Sequence, residues 1–178
     1  MQDSHPADQS LLPKSGNFGY TSEMDASAVV TVDIHVFKRG GRRPLFLVLR
    51  RAPDVSYAGL WRMVTGTVEP GEKATHTVLR KLREETGLAP TGLWALDYVH
   101  LFYDVATDRI LQAPVFAVEV PDVPVRLSPM HSHFRWVEFE QALDLYTWPG
   151  HRDGMQRTQE DVLGSRERGK AFRVAIPT

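Results

Sequence analysis

Hydrophobic and polar residues alternate in the first well-patterned segment of the chain. In AVVTVDIHVFK, this alternation places four branched residues on one face of a predicted strand: Val30, Val32, Ile34 and Val36. The polar turn RGGRRP follows, and then a continuous apolar run, LFLVLRR, which is typical of a strand buried on both faces. A loop from Ala52 to Leu60 leads into a further predicted strand, WRMVTG.

The spacing becomes helical in EKATHTVLRKLREETGL. Its apolar residues recur every three or four positions, namely Ala74, Val78, Leu79 and Leu82. Gly87 is a typical helix stop, so the pattern predicts a helix of about four turns.

The second half of the chain combines strands with terminal helices. Two long strands, GLWALDYVHLFYD and RILQAPVFAVEV, are predicted on either side of the turn DVATDR, and HFRWVEF predicts a shorter one. Pro114 should lie at a sheet edge or a bulge. FEQALDLY and GHRDGMQRTQEDVLGS predict helices. Together these elements indicate an α/β fold in which a mixed sheet lies between helices.

Composition narrows the class of protein. The 178 residues suit one domain, with residues 1–25 as a flexible tail and residues 26–178 as the folded unit. A net charge of −1 gives no reason to expect a nucleic acid polymer as partner. No cysteine is present, so any metal must bind to oxygen or imidazole. Neither a signal peptide nor a membrane span is visible, and we expect a soluble, cytoplasmic protein with no membrane partner.

The loop and helix around VTGTVEPGE carry the clearest candidate chemistry. On the helix, positions 81, 84 and 85 stand at i, i+3 and i+4, so Lys81, Glu84 and Glu85 converge on one face. Neighbouring carboxylates repel one another unless a cation compensates, and a hard ion such as Mg²⁺ prefers oxygen ligands. The alternative is a solvated face on which the two glutamates pair with nearby basic residues.

Residues 66–88 resemble the Nudix box. Its pattern is Gly, five residues, Glu, seven residues, Arg-Glu, an aliphatic, any residue, Glu-Glu, any residue, Gly and an aliphatic. The matching positions here are Gly66, Glu72, Arg80, Leu82, Glu84, Glu85, Gly87 and Leu88. The resemblance covers roughly residues 28–145, and outside the box it is one of layout.

The resemblance implies a Nudix fold and hydrolysis of a nucleoside diphosphate linked to another moiety, with Mg²⁺ or Mn²⁺ as cofactor. By resemblance, Glu84, Glu85 and the Gly66 carbonyl bind the metal. Glu72 and Arg80 form a structural ion pair between loop and helix. Family members often dimerise, which makes a homodimer the expected assembly.

Lys81 departs from the family pattern, which has Glu at this position. An ammonium group one turn before Glu84 and Glu85 partly neutralises them. In one interpretation Lys81 contacts a substrate phosphate while the glutamates hold one ion. In another it replaces the metal, and in a third it extends into solvent.

A second departure concerns the loop before HFRWV, where many Nudix hydrolases carry a Glu-His pair and this chain has Met130 before His131. His131 or His133 could act as a general base, or the two could simply share a strand face. Glu69 is the nearest other acid. Further candidate acids lie on the two long strands: Asp97, Asp104 and Glu119.

Candidate substrate contacts are basic or aromatic. Arg50, Arg51 and His131 could meet phosphates, and Trp61 could stack on a base. The other aromatic candidates are Tyr57, Phe102, Tyr103 and Trp148. Residues 61–72 also look similar to dihydroneopterin triphosphate pyrophosphatases of the same family. The leading hypothesis is a pyrophosphohydrolase of a small nucleotide-type diphosphate, and the alternative is a degenerate domain that binds a nucleotide metabolite without efficient hydrolysis.

Overall fold

The computed structural model describes residues 31–105 and 108–177 of the chain. The predicted tail at residues 1–25 and Val30 of the first predicted strand lie outside this range. Within it, none of the helices is both long and apolar enough to cross a bilayer.

Seven strands form one sheet. In chain order they are β1 (Thr31–Lys38), β2 (Leu45–Arg51), β3 (Trp61–Arg62), β4 (Val64–Thr67), β5 (Gly92–Asp104), β6 (Arg109–Glu119) and β7 (His131–Val137). The order across the sheet is β3-β2-β1-β6-β5, with β4 also paired to β1 and β7 to β2. Only β1 and β6 run parallel among these pairs, so the sheet is mixed as predicted.

Helices cover both faces of the sheet, because strand side chains alternate between two cores. The first core joins Ile34 and Leu47 to Val78 of helix α1 (Ala74–Thr86). The second joins Phe46 and Val48 to Met155 and other residues of the C-terminal helices. The central residues of β2 are buried and contribute to both cores, which confirms the expectation of a strand enclosed on two faces.

The four α-helices are α1, α2 (Phe139–Leu145), α3 (Pro149–Arg157) and α4 (Arg166–Ala171). Helix α1 ends as predicted at Gly87, whose φ of 70° is left-handed and whose amide donates to the Arg83 carbonyl. The segment predicted as one helix over GHRDGMQRTQEDVLGS instead continues from α3 into a π-helix at Thr158–Leu163. The Thr158 hydroxyl donates to the Gly154 carbonyl at this transition, a bond that often bends helices.

Pro114 lies inside β6, a strand with neighbours on both sides. Opposite it, the register of β5 shifts between Ala95 and Val99, so the proline faces a bulge as predicted.

Candidate active site

Helix α1 and strand β4 approach each other so closely that the loop before the helix is held against it. A Cβ atom added at Gly66 would lie only 2.2 Å from the Lys81 Cγ. The position therefore requires glycine for space. The Gly66 carbonyl accepts a hydrogen bond of 2.9 Å from the Thr31 hydroxyl on β1, which fixes its direction.

Glu72 joins the loop to the helix through a dense set of hydrogen bonds. Arg80 donates to both of its carboxylate oxygens, at 2.9 and 2.7 Å, and the Thr77 hydroxyl donates at 2.7 Å. These bonds, led by that of Arg80, lower the pKa of Glu72 to about 2, and the same pair raises the pKa of Arg80. Arg80 also donates to the Thr67 carbonyl. The loop thus has a fixed position on the helix.

Glu84 and Glu85 differ in their surroundings although they are adjacent. The Glu84 side chain is exposed, whereas that of Glu85 is 10% exposed. The Lys81 ammonium lies 3.0 Å from a Glu84 oxygen and 3.7 Å from a Glu85 oxygen. Its hydrogen bond lowers the pKa of Glu84, so that carboxylate stays charged. Lys81 is therefore directed towards the glutamates and does not extend freely into solvent.

His131 contacts the other oxygen of Glu85. Its Nε2 lies 2.9 Å from Glu85 Oε2, and both side chains are buried. The amide of Ser128 donates to the backbone carbonyl of Glu85 nearby. The first residue of β7 thus supplies an imidazole that orients the Glu85 carboxylate. His133 is exposed, and its closest side-chain partner is Ser132.

The donor set around Lys81 fits a divalent ion of the kind implied by the box. Two carboxylates from consecutive helix positions face a cation already present, the Lys81 ammonium, which marks where positive charge is stabilised. Glu85 Oε1 is directed towards this place and Oε2 towards His131. An ion bound here would have to displace the Lys81 ammonium or share the glutamates with it.

A cavity of about 610 Å³ is lined by residues of β3, β5, the loop after β2 and the start of α3. Aromatic and basic side chains line it: Tyr57, Arg62, His100, Phe102, Tyr103, Trp148 and His151, together with Asp104 and Val105. The rings of Tyr57 and Trp148 meet edge to face, with centroids 5.1 Å apart. Four of the aromatic residues predicted as stacking candidates thus line one pocket.

Arg62 connects the pocket with the box. Its guanidinium is largely buried, and burial lowers its pKa, while the charges of Asp33 and Glu85 act in the opposite direction. Arg62 lines the cavity and interacts electrostatically with Glu85, so it carries positive charge at the pocket wall within electrostatic range of the box.

The remaining predicted substrate contacts have other neighbours. Arg50 donates to the Gly59 carbonyl and Arg51 to the Ser56 carbonyl, so both hold the loop that carries Tyr57. The Trp61 ring lies under the Arg135 guanidinium, 4.9 Å from its centroid. Glu69 is exposed and lies 3.5 Å from Arg80. Their predicted roles in substrate binding and catalysis stay predictions.

The sequence reasoning missed Arg62, Asp33, His100 and His151. One signal was available, because Asp33 and His35 interrupt an otherwise apolar strand and are both buried. Charged or titratable residues are seldom fully buried without a role or a partner.

Comparison with known proteins agrees with this geometry. Residues 28–158 match the model of the NUDIX domain. An octanoyltransferase from Myxococcus xanthus is 37% identical over 130 residues, which cover 71% of this chain and 36% of that protein. The asymmetrical bis(5'-nucleosyl)-tetraphosphatase of Mus musculus is 32% identical over 103 residues, 56% of this chain and 68% of that enzyme.

Among solved structures, a NUDIX hydrolase from Listeria monocytogenes superposes with a TM-score of 0.67 at 22% identity. The match covers 82% of this chain and 99% of the other, and shows that the two share a fold. The chain spans only about a third of the length of the octanoyltransferase. With more than half of its residues matching the family model, the chain belongs to the NUDIX domain family.

Proposed function

We propose that the protein is a pyrophosphohydrolase of a small nucleotide-type diphosphate and that it works with Mg²⁺ or Mn²⁺ held by Glu84 and Glu85. The observation that carries the proposal is the arrangement of these two carboxylates around one cationic position, together with an aromatic pocket whose Arg62 interacts electrostatically with Glu85. The tetraphosphatase relative acts on a dinucleotide by its name, which agrees with a nucleotide substrate.

Some residues of the site would bind the ion, and others keep these ligands in position. When bound, the divalent ion offsets negative charge on the diphosphate and promotes attack by water at phosphorus. Glu84 and Glu85 would hold that ion together with the Gly66 carbonyl, and His131 keeps the Glu85 carboxylate in place. The Glu72–Arg80 pair fixes the loop on which Gly66 lies.

Arg62 and the aromatic residues account for the rest of the substrate. The Arg62 guanidinium offers positive charge at the pocket wall next to the glutamates, which suits a phosphate oxygen. Tyr57, Phe102 and Trp148 offer ring faces and edges for a planar base. The diphosphate would therefore extend from Glu84 and Glu85 past Arg62, with the base in the pocket.

The experiment is a metal titration of hydrolysis with a panel of nucleoside diphosphate derivatives, followed by detection of the phosphate-containing products. We expect products only with Mg²⁺ or Mn²⁺ and a loss of at least 100-fold in kcat/KM in Glu85→Gln. Glu140→Gln is the matched control, because Glu140 is an exposed glutamate in the first turn of α2.

A second candidate is a domain that binds the nucleotide without efficient hydrolysis. The specific observation in its favour is that Lys81 and His131 already engage the oxygens of Glu84 and Glu85. The same titration separates the two functions. Binding of a nucleotide measured by calorimetry, with no metal-dependent product in the native protein, would favour the binding domain and contradict the hydrolase.

A further inference from the structure

Polar atoms without hydrogen-bond partners are concentrated around Arg62 and His151 of the pocket wall, a region called below the inner end of the pocket. In residues 31–105 and 108–177, seven buried side-chain nitrogen and oxygen atoms have no partner, and five of them belong to His35, Arg62, Tyr146 and His151. The rings of Tyr146 and His35 have centroids 6.0 Å apart, and those of Tyr146 and His151 lie 6.2 Å apart. Buried polar atoms are normally paired, so this concentration indicates a place made for a ligand.

Three potential metal ligands meet at this place from three different elements. Asp33 comes from β1, His100 from β5 and His151 from α3, and all three are buried. Each offers one ligand atom, and these atoms all lie within 4.8 Å of one another. Asp33 Oδ2 and His100 Nδ1 are 3.0 Å apart. His151 Nδ1 is one of the atoms without a partner.

The chemical state of His151 suits metal binding. Burial lowers the pKa of His151 to about 4, so its imidazole is neutral at pH 7. A neutral imidazole has a free nitrogen lone pair, which is the form that binds metal ions. Asp33 supplies a negative charge, which would offset part of the charge of the ion.

We propose that Asp33, His100 and His151 form a binding site for a zinc-like divalent transition-metal ion, separate from the position between Glu84 and Glu85. Two imidazole nitrogens and one carboxylate oxygen are the ligands that Zn²⁺ and Co²⁺ accept, whereas Mg²⁺ prefers oxygen alone. The inference rests on the geometry of these three side chains and holds whether or not the proposed hydrolysis occurs.

Small side-chain movements are enough to close the site. With metal–ligand bonds of about 2.0–2.2 Å, tetrahedral donors lie roughly 3.3 Å apart, a spacing that Asp33 and His100 already approach. The widest separation is at most 4.8 Å, so closure requires the donors to approach by no more than about 1.5 Å. Both histidines line the cavity. A fourth coordination position would therefore open towards the pocket, where water or an anionic atom of a ligand can complete it.

Arg62 acts against the ion, because its charge also interacts with Asp33. The charge of Glu85 acts on the same guanidinium and offsets part of this repulsion. We therefore expect an affinity lower than that of a site with the same three ligands and no neighbouring cation.

The test is a titration of the metal-free protein with Co²⁺, followed by its visible absorption bands and by calorimetry, with Zn²⁺ as competitor. The native protein is expected to bind one Co²⁺ at this site and to release it to Zn²⁺. His151→Gln should weaken that binding at least tenfold. The matched control is His133→Gln, since His133 is an exposed histidine and should leave the affinity unchanged.

A variant in which both Glu84 and Glu85 are replaced by Gln distinguishes metal binding at the box from metal binding at the proposed site. At saturating Co²⁺ this variant should keep the bands even if its hydrolysis is lost, although with a lower affinity because the Glu85 charge no longer offsets that of Arg62. No Co²⁺ binding by the native protein, equal binding in His151→Gln, or loss of the bands in the double variant would each overturn the proposal. If His151→Gln does not fold, X-ray absorption at the zinc edge of the native protein decides. Two imidazole nitrogens bound to zinc would support the site, and an all-oxygen shell would overturn it.

Discussion

Lys81 is the residue at which this chain departs from its family, and its contacts give that departure a physical meaning. The ammonium lies within 4 Å of both Glu84 and Glu85, so it occupies the side of the carboxylates from which a cation would be bound. A side chain that neutralises a metal site from within competes with the metal for the same oxygens. The residue thus sets how much free metal the site requires.

This competition leads to a prediction for Lys81→Glu. Replacing the ammonium by a carboxylate should lower the Mg²⁺ concentration for half-maximal activity by about tenfold or more, which corresponds to at least about 1.4 kcal/mol. The measurement is hydrolysis rate against Mg²⁺ concentration. Arg83→Glu, the same charge change at an exposed position on the same helix, is the control and should shift the curve little. Equal shifts in the two variants would mean that only the overall charge matters.

At the scale of elements, the contact between β4 and α1 brings Gly66 to the glutamates. The Lys81 methylene groups limit the space at position 66, because a Cβ there would lie 2.2 Å from the Lys81 Cγ. The helix and the strand therefore cannot keep their present distance if residue 66 gains a side chain.

We expect Gly66→Ala to lower the free energy of unfolding by about 1–3 kcal/mol, because the new methyl group must displace the Lys81 stem. Lys81→Ala removes the nearest clashing atoms, so the double variant should recover at least half of that loss. Urea unfolding of the single and double variants measures the interaction. Gly40→Ala is the control, since nothing lies within 4 Å of a Cβ there. If the losses of unfolding free energy in the two single variants simply add in the double variant, the new methyl group does not clash with Lys81.

Sequence spacing predicted the elements and the box well because both depend on near neighbours. Glu72 and Arg80, or Lys81 and Glu84, are close along the chain, and the helix alone brings the latter pair together. The π-helix was missed, since its residues have ordinary helical polarity and the widened turn depends on local hydrogen bonding such as that of Thr158.

The inner end of the pocket could not be predicted in the same way. Asp33 and His100 are separated by 67 positions and meet only because β6 lies between β1 and β5 while both strands turn these residues to one face. His131 reaches Glu85 across 46 positions for a similar reason. Contacts between residues so far apart in the chain cannot be predicted from local spacing. The only indication of them is the presence of polar residues in β1, which the structure shows to be buried.

For the molecule as a whole, the pocket is closed by segments far apart in the chain. Tyr57 comes from the loop after β2, Phe102 from β5 and Trp148 from the start of α3. A ligand in the cavity would therefore contact both the sheet and the C-terminal helices. Its affinity depends on their relative placement as well as on the box.

Trp148→Ala tests this dependence. Loss of the ring should raise the KM for a nucleotide substrate roughly tenfold with little change in kcat, because stacking on a base contributes about 1–3 kcal/mol to binding. Steady-state kinetics separates the two constants. Phe134→Ala removes an exposed ring from β7 and should change neither. A fall in kcat at unchanged KM would contradict the assignment of Trp148 to binding.

The shared influence of Glu85 and Asp33 on Arg62 has a further consequence. A cation taken up by Glu85 leaves the guanidinium with Asp33 as its main counter-charge, and an ion taken up by Asp33 does the converse. The two proposed metal sites therefore compete for the same negative charge. An ion bound at either site should lower the affinity of the other by the same factor, since linkage is reciprocal. This coupling requires no conformational change, because it acts through the charge of Arg62 alone.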